Sequence, residues 1–301
     1  MAIRWIINGY FRSGTTFLWD RFHRATKGDV LCLYEPLHPD LHVFLENDGQ
    51  DKSGRRLHHL DLWSDYLRIP PGKRQQLLKC HPNRSGNCNW SWRELADYLE
   101  ILHSLDKDVL IQANRLHYDL INVIELTGAR VVHLVRNPVD VFHSIRNAYF
   151  TNAGQFRGFA RRLAYPFRGN HAFETVHWMN RAINVFPQIS TALKNRPKGL
   201  LPCFVPAWIG ANHSAIQSVY SQRGMVCVYE ELLLNPVKFA EDLQRHLGTL
   251  FPITMEGVSR TSEKRKYSED WRRFHTLLEF CGLEYEWSAI KDVVEARKVE
   301  W

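Results

Sequence analysis

Ile3-Arg4-Trp5-Ile6-Ile7-Asn8-Gly9-Tyr10-Phe11-Arg12-Ser13-Gly14-Thr15-Thr16 runs from an apolar stretch through a glycine-bounded polar turn into a helix start. Ile3–Asn8 reads as a short buried strand. Leu18, Phe22 and Ala25 give Thr15–Ala25 helical spacing, closed by a cap at Gly28. A turn of this kind gathers its own backbone N–H groups and the first amides of the following helix around one point, a ready anion site. The spacing Gly9-x4-Gly14 matches a nucleotide phosphate loop, but Thr15 stands where a lysine would follow. That lysine normally reaches the β- and γ-phosphates, so its absence counts against ATP or GTP hydrolysis and against a small-molecule kinase. The cation has moved into the loop as Arg12, whose planar fork of donors can grip one phosphate bidentately.

Outward from this stretch the same unit recurs. Val30–Tyr34 (stopped by Pro36), Gln76–Cys80, Val109–Gln112, Arg130–Val135 and Met225–Tyr229 read as further strands. Helices are expected over Trp92–Ser104, from about His117 to Thr127, from Asn137-Pro138 onward, around His171–Lys194 and over Pro236–Leu247. Short apolar strands alternating with helices predict an α/β fold, a central parallel sheet covered on both faces as a three-layer α/β/α sandwich. Such sheets hold ligands at the carboxyl ends of their strands. The economical organisation is one domain over 1–301, with 150–223 as a less regular helical insertion.

The composition agrees with a folded globular chain. In 301 residues, 45% are hydrophobic and 12% aromatic, which excludes a disordered chain. Lys and Arg number 39 against 32 Asp and Glu, and the resulting +7 fits an anionic ligand without requiring nucleic acid. No apolar run approaches the ~18 residues of a membrane helix, and Met1–Asn8 is too short for a signal peptide. The six cysteines lack C-x-x-C spacing, which predicts free thiols in a reducing, cytoplasmic compartment.

A second motif, Arg136-Asn137-Pro138-x-Asp140-x3-Ser144, follows the Arg130–Val135 strand and enters a helix. Arg136 precedes the helix and Ser144 lies about two turns along it, so both can converge on one phosphate. A second phosphate site calls for a nucleotide with phosphates at both ends of its ribose. Here the chain resembles the sulfotransferases that use 3′-phosphoadenosine-5′-phosphosulfate (PAPS). Their 5′-phosphosulfate loop is matched by Arg12, Ser13, Gly14, Thr15 and Thr16, and their 3′-phosphate motif by Arg136 to Ser144. Their Tyr-Glu-Asp/Glu-Leu segment, followed by an Asn/Asp-Pro helix start, is matched by Tyr229-Glu230-Glu231-Leu232 and Asn235-Pro236.

The resemblance implies a fold akin to the P-loop nucleotide kinases and transfer of a sulfonate from PAPS to an acceptor hydroxyl by in-line displacement. PAP (3′,5′-bisphosphoadenosine) is then the product, no metal is required, and the acceptor is a small molecule, a glycan or a peptide. A base must take the acceptor proton, and positive charge must meet the leaving phosphate. Arg12 and the loop amides serve the second need. For the first, Glu35 in Tyr34-Glu35-Pro36 resembles the glutamate of Golgi carbohydrate and tyrosylprotein sulfotransferases. His81 in Lys79-Cys80-His81-Pro82 resembles the Lys-Thr-His segment of the cytosolic enzymes, where Lys79 would contact the sulfonate. Both stand as candidate bases, with Glu35 preferred because the arginine-type loop and the glutamate occur together in the families resembled. Arg265, in the basic run Ser262–Tyr267, is a candidate for closing over the 3′-phosphate, against the alternative of a solvated charge run. A non-catalytic PAP/PAPS-binding module is the rival from another class.

Other constellations point less clearly. His38 with His42, and His58-His59, lack metal-site spacing, as do Cys80 and Cys88. Arg157, Arg161, Arg162 and Arg168, mixed with aromatics, suit an acidic or glycan acceptor, a nucleic-acid backbone or merely an amphipathic surface flap. Trp63, Trp90 and Trp92 are either acceptor-stacking rings or core.

Overall fold

The five strands are runs of apolar residues, and apart from Arg4 and Arg130 every strand residue is buried, as a sheet covered on both faces requires. The computed structural model describes residues 2–46, 60–82, 90–151, 181–189, 200–222, 224–248, 251–255 and 267–301. Strands β1 (Ile3–Gly9), β2 (Leu31–Tyr34), β3 (Val109–Ala113), β4 (Arg130–Val135) and β5 (Met225–Val228) form one sheet in the order β2-β3-β1-β4-β5. All four pairings are parallel. With helices on both sides of the sheet, this is an α/β fold.

Helix α1 (Thr15–Thr26) leaves β1 and packs on β1, β2 and β3. Helices α2 (Leu41–Glu46), α3 (Ser64–Leu67), α4 (Pro71–Lys79) and α5 (Trp92–His103) follow, the last opened by a reciprocal cap between Ser91 and Glu94. Then come α6 (Leu120–Thr127), α7 (Pro138–Thr151), α8 (Leu200–Ser221), α9 (Tyr229–Leu234), α10 (Pro236–Leu247), α11 (Ser268–Cys281) and α12 (Glu284–Ala296). From β1 the chain crosses toward the β2 edge, whereas from β4 it proceeds toward β5. The loops after β1 and β4 therefore flank the switch point, where ligand crevices form in such sheets.

The structure corrects one expected strand. Residues 76–80 are not a strand: they close helix α4, with Pro71 in its first turn and Cys80 as C-cap. Gln75, Gln76, Leu77, Leu78 and Lys79 are good helix formers, and Leu77 is the buried residue of the helix, so the short apolar run carried no strand period. The lysine and histidine segment thus does not end a strand, the setting on which its likeness to the cytosolic Lys-Thr-His segment drew.

Helix α8, 22 residues long, is absent from the elements the sequence predicts. It is buried along nearly its whole length and packs on β4, β5, α6, α7, α11 and α12. With little polar face, it has no amphipathic period by which to be recognised. Beneath the sheet's carboxyl end lies a buried polar chain. Asn8 Nδ2 lies 3.2 Å from His117 Nδ1 and donates to His133 Nδ1 (3.0 Å), and His133 Nε2 donates to Asn212 Oδ1 of α8 (3.1 Å). Burial holds both imidazoles below the ordinary histidine value, His133 at about 4.

Candidate functional site

The turn after β1 is shaped by two glycines with different duties. A Cβ on Gly9 would lie 2.7 Å from Ser13 Oγ and 2.8 Å from the Leu134 carbonyl, so Gly9 lets the turn press against β4. Gly14 has φ +102° at the N-cap of α1, and a Cβ there would lie 2.6 Å from the Tyr229 ring. Arg12 is also left-handed, at φ 67°, a conformation rare outside glycine. Ser13 is buried, and its amide (3.1 Å) and hydroxyl (2.6 Å) both donate to the Tyr10 carbonyl, so its side chain locks the turn. Thr15 donates to Asn114 Oδ1 and accepts from Gln112 Nε2, each at 3.0 Å. The hydroxyls of Thr16 and Tyr34 meet at 2.9 Å. Pinned from below, the turn leaves the first amides of α1 without intrahelical partners.

The second motif lies against this turn. Asn137 Oδ1 accepts from the Val139 (2.9 Å) and Asp140 (3.3 Å) amides, starting α7. Arg12 Nε donates to Ser144 Oγ at 2.9 Å, and Arg136 Nη1 donates to the Arg12 carbonyl at 3.0 Å. The Arg136 guanidinium stacks 4.5 Å from the centre of the Tyr229 ring, and its buried Nε has no hydrogen-bond partner among the described residues. Neither arginine forms a salt bridge among the described residues; their hydrogen bonds go to a hydroxyl and a carbonyl. Burial lowers the Arg12 pKa; Tyr34 opposes this and nearby Arg136 adds to it. Glu230 lies behind, its Oε1 accepting from the Asn137 amide at 3.1 Å. Two adjacent cations with neutral partners could together meet an anion.

Glu35 follows β2 directly. It is buried, left-handed at φ 46°, and its amide donates to the Gln112 carbonyl at 2.8 Å. Its carboxylate pairs with the buried guanidinium of Arg115, which lies 5.0 Å from the Phe11 ring of the phosphate turn. Arg115 thus connects the glutamate to the turn. His81 is buried too, and its Nε2 donates to the Pro36 carbonyl at 3.0 Å, where the Tyr98 hydroxyl also donates at 2.7 Å. The histidine is therefore brought to the turn carrying Glu35, with its Nε2 proton engaged there. Lys79 is exposed on the last turn of α4.

Arg115, Tyr34 and Tyr229 were not singled out from sequence. Tyr229 sits in the matched Tyr-Glu segment and could have been found there; Arg115 follows a strand end, with no motif to mark it. Among the wider candidates, Trp63 is buried against Phe44, and Trp90 is buried and donates to Asp119 Oδ2 at 3.0 Å, so both are core. Trp92 is exposed. Five cysteines are free thiols, Cys80 exposed and the others buried. Among the described residues no cluster fit to hold a metal ion occurs, and no helix is long and apolar enough to cross a membrane. Arg265 and its basic run from 262 to 266, His58-His59, Cys88 and the arginines from 157 to 168 lie outside the described residues.

No family model matches the chain. An uncharacterized protein of Archaeoglobus fulgidus is 27% identical over 270 residues, covering 83% of this chain and 86% of the relative. Among solved structures, the sulfotransferase domain from the curacin biosynthetic pathway overlaps 83% of this chain and 75% of its own, at 14% identity and TM-score 0.44. A sulfotransferase from Alicyclobacillus acidocaldarius overlaps 93% and 94%, at 13% identity and TM-score 0.42. The sulfotransferase domain of the Synechococcus PCC 7002 olefin synthase overlaps 82% and 73%, at 15% identity and TM-score 0.38. Overlaps this loose carry no weight for function.

Proposed function

We propose that the chain is a sulfotransferase that takes a sulfonate from PAPS and delivers it to the hydroxyl of a small-molecule, glycan or peptide acceptor. The observation that carries this reading is the meeting of Arg12, Arg136 and Ser144 at the switch point, two arginines with neutral partners beside the first amides of a helix. Such a receptor suits a ligand bearing more than one anionic group. PAPS supplies the sulfonate already activated on a 5′-phosphate.

The chain's own residues have three tasks. Arg12 and the amides at the start of α1 face the growing negative charge of the leaving phosphate, in a setting where burial strengthens each contact. Arg136 and Ser144 hold the 3′-phosphate and so fix the nucleotide in one register. Glu35 accepts the acceptor's proton at its carboxylate, with Arg115 orienting that carboxylate toward the phosphate turn. His81 holds the Glu35-Pro36 turn through the Pro36 carbonyl. The fit to PAP rests on Arg136 Nε, a buried donor without a protein partner among the described residues.

Calorimetry with PAP, followed by incubation of the chain with sulfur-labelled PAPS and a panel of phenols, sugars and tyrosine peptides, tests the proposal. Binding of PAP and labelling of an acceptor are expected. No PAP binding would sink the nucleotide assignment, whereas PAP binding without transfer to any acceptor would favour a non-catalytic nucleotide-binding module.

A further inference from the structure

The C-terminal helices enclose a cavity of about 440 Å³ that the transfer site does not use. Three indoles form its walls: Trp271 of α11, Trp287 of α12 and Trp301. Trp287 and Trp301 lie 5.9 Å apart at 29°, close to parallel, and Trp271 lies 6.1 Å from Trp287 at 52°. Trp287 is backed by Phe274 (5.1 Å) and by the fully buried Trp208 (6.2 Å), so that wall belongs to the core. Trp301 is fixed differently: its indole N–H donates to Glu230 Oε2 at 3.1 Å. These contacts hold Trp287 and Trp301 in place before any ligand arrives, which lowers the ordering cost of binding.

The rim is polar. His275, Lys291, Glu295 and Glu300 line it, all exposed; the His275 ring stacks on one face of Trp271 (5.7 Å, 26°), and Lys291 Nζ lies 3.5 Å from Glu295 Oε1. A wholly apolar guest would make no use of these groups, which stay solvated at the rim. A cationic guest would meet the Lys291 ammonium, and an anionic one the two carboxylates. A neutral ring with an apolar C–H face and a hydroxylated edge satisfies both surfaces, stacking on indole while its hydroxyls donate to carboxylates and accept from the ammonium. The volume falls within the usual range for small-molecule sites. We propose that this cavity is a saccharide-binding site, taking a pyranose ring against the half-buried Trp271 and Trp301, with the buried Trp287 as its floor. The site goes beyond sulfonate transfer and does not depend on that reading.

The test uses the full chain without nucleotide. Methyl β-glucoside, maltose and N,N′-diacetylchitobiose are titrated by tryptophan fluorescence and by saturation-transfer NMR. At least one is expected to bind with a dissociation constant of about millimolar size. Lys291→Met and Glu300→Ala alter exposed side chains and leave the fold intact; each is expected to weaken binding about tenfold. Trp301→Ala, which removes a wall, is expected to abolish it. Failure of all three sugars to bind, or equal binding by the wild type and all three variants, overturns the proposal. So does binding of tetramethylammonium in place of the sugars. PAP calorimetry on the Lys291→Met and Glu300→Ala samples keeps the two readings apart, since loss of sugar binding with normal PAP binding there touches this site alone; Trp301→Ala also frees Glu230 beside the Asn137 turn.

Discussion

The Glu35 carboxylate is buried against Arg115, and it is at this scale that the proposed chemistry is most exposed to test. Glu35→Gln keeps the side chain's shape and an acceptor for Arg115 while removing the base. Turnover is expected to fall about 10²- to 10⁴-fold, with PAP affinity nearly unchanged by calorimetry. Full activity in Glu35→Gln, together with a dead His81→Ala, would move the base to the histidine. Arg136 bears on binding rather than on the proton. Its charge-assisted contact to a phosphate is worth ~1.5–3 kcal/mol, so Arg136→Ala should weaken PAP by roughly 10- to 150-fold. Wild-type PAP affinity in that variant would remove the 3′-phosphate assignment. Both residues could be named from motifs. Arg115 could not, because an ion pair between residues so far apart in the chain has no local spacing to announce it.

Elements were legible where their period was clean. β1, β3, β4, α5 and α10 lie close to where alternation and capping put them, and Pro138 and Pro236 open helices as proline does. Helices α2, α3, α4, α8, α9, α11 and α12 were not named from the sequence, and two of these were illegible for opposite reasons. Helix α4 is too polar and short to show a face, and helix α8 is too apolar, since burial on several sides erases the contrast that makes a helical stripe. The phosphate turn is the element most sensitive to a single atom. A Cβ at Gly14 would meet the Tyr229 ring at 2.6 Å while forced to φ +102°, and that ring carries Arg136. Gly14→Ala is therefore expected to cost about 1–3 kcal/mol of stability, seen as a lowered thermal midpoint, and to weaken PAP binding with it. A variant as stable and as tight-binding as wild type would show that the turn relaxes away from Tyr229.

At the scale of the whole molecule, the buried histidines couple stability to pH. His133 titrates at about 4 in the folded chain, below the ordinary 6.5, and His117 is lowered in the same sense, both chiefly by burial. The unfolded chain therefore takes up protons that the folded chain refuses, so their contribution is fully present above about pH 6.5 and lost as pH falls toward 4. Chemical denaturation should show stability declining across that window, and His133→Asn should flatten the decline. An unchanged slope in that variant would assign the acid sensitivity elsewhere. The sequence by itself determined the parallel α/β plan and pointed to the two turns proposed to hold phosphates, because strand period, glycine spacing and helix caps are local properties. Only the tertiary structure decided that Arg12 meets Ser144, that Arg115 pairs with Glu35 and that α8 packs against β4 and β5. Those are contacts between distant segments, fixed by strand order and burial rather than by any neighbour in the chain.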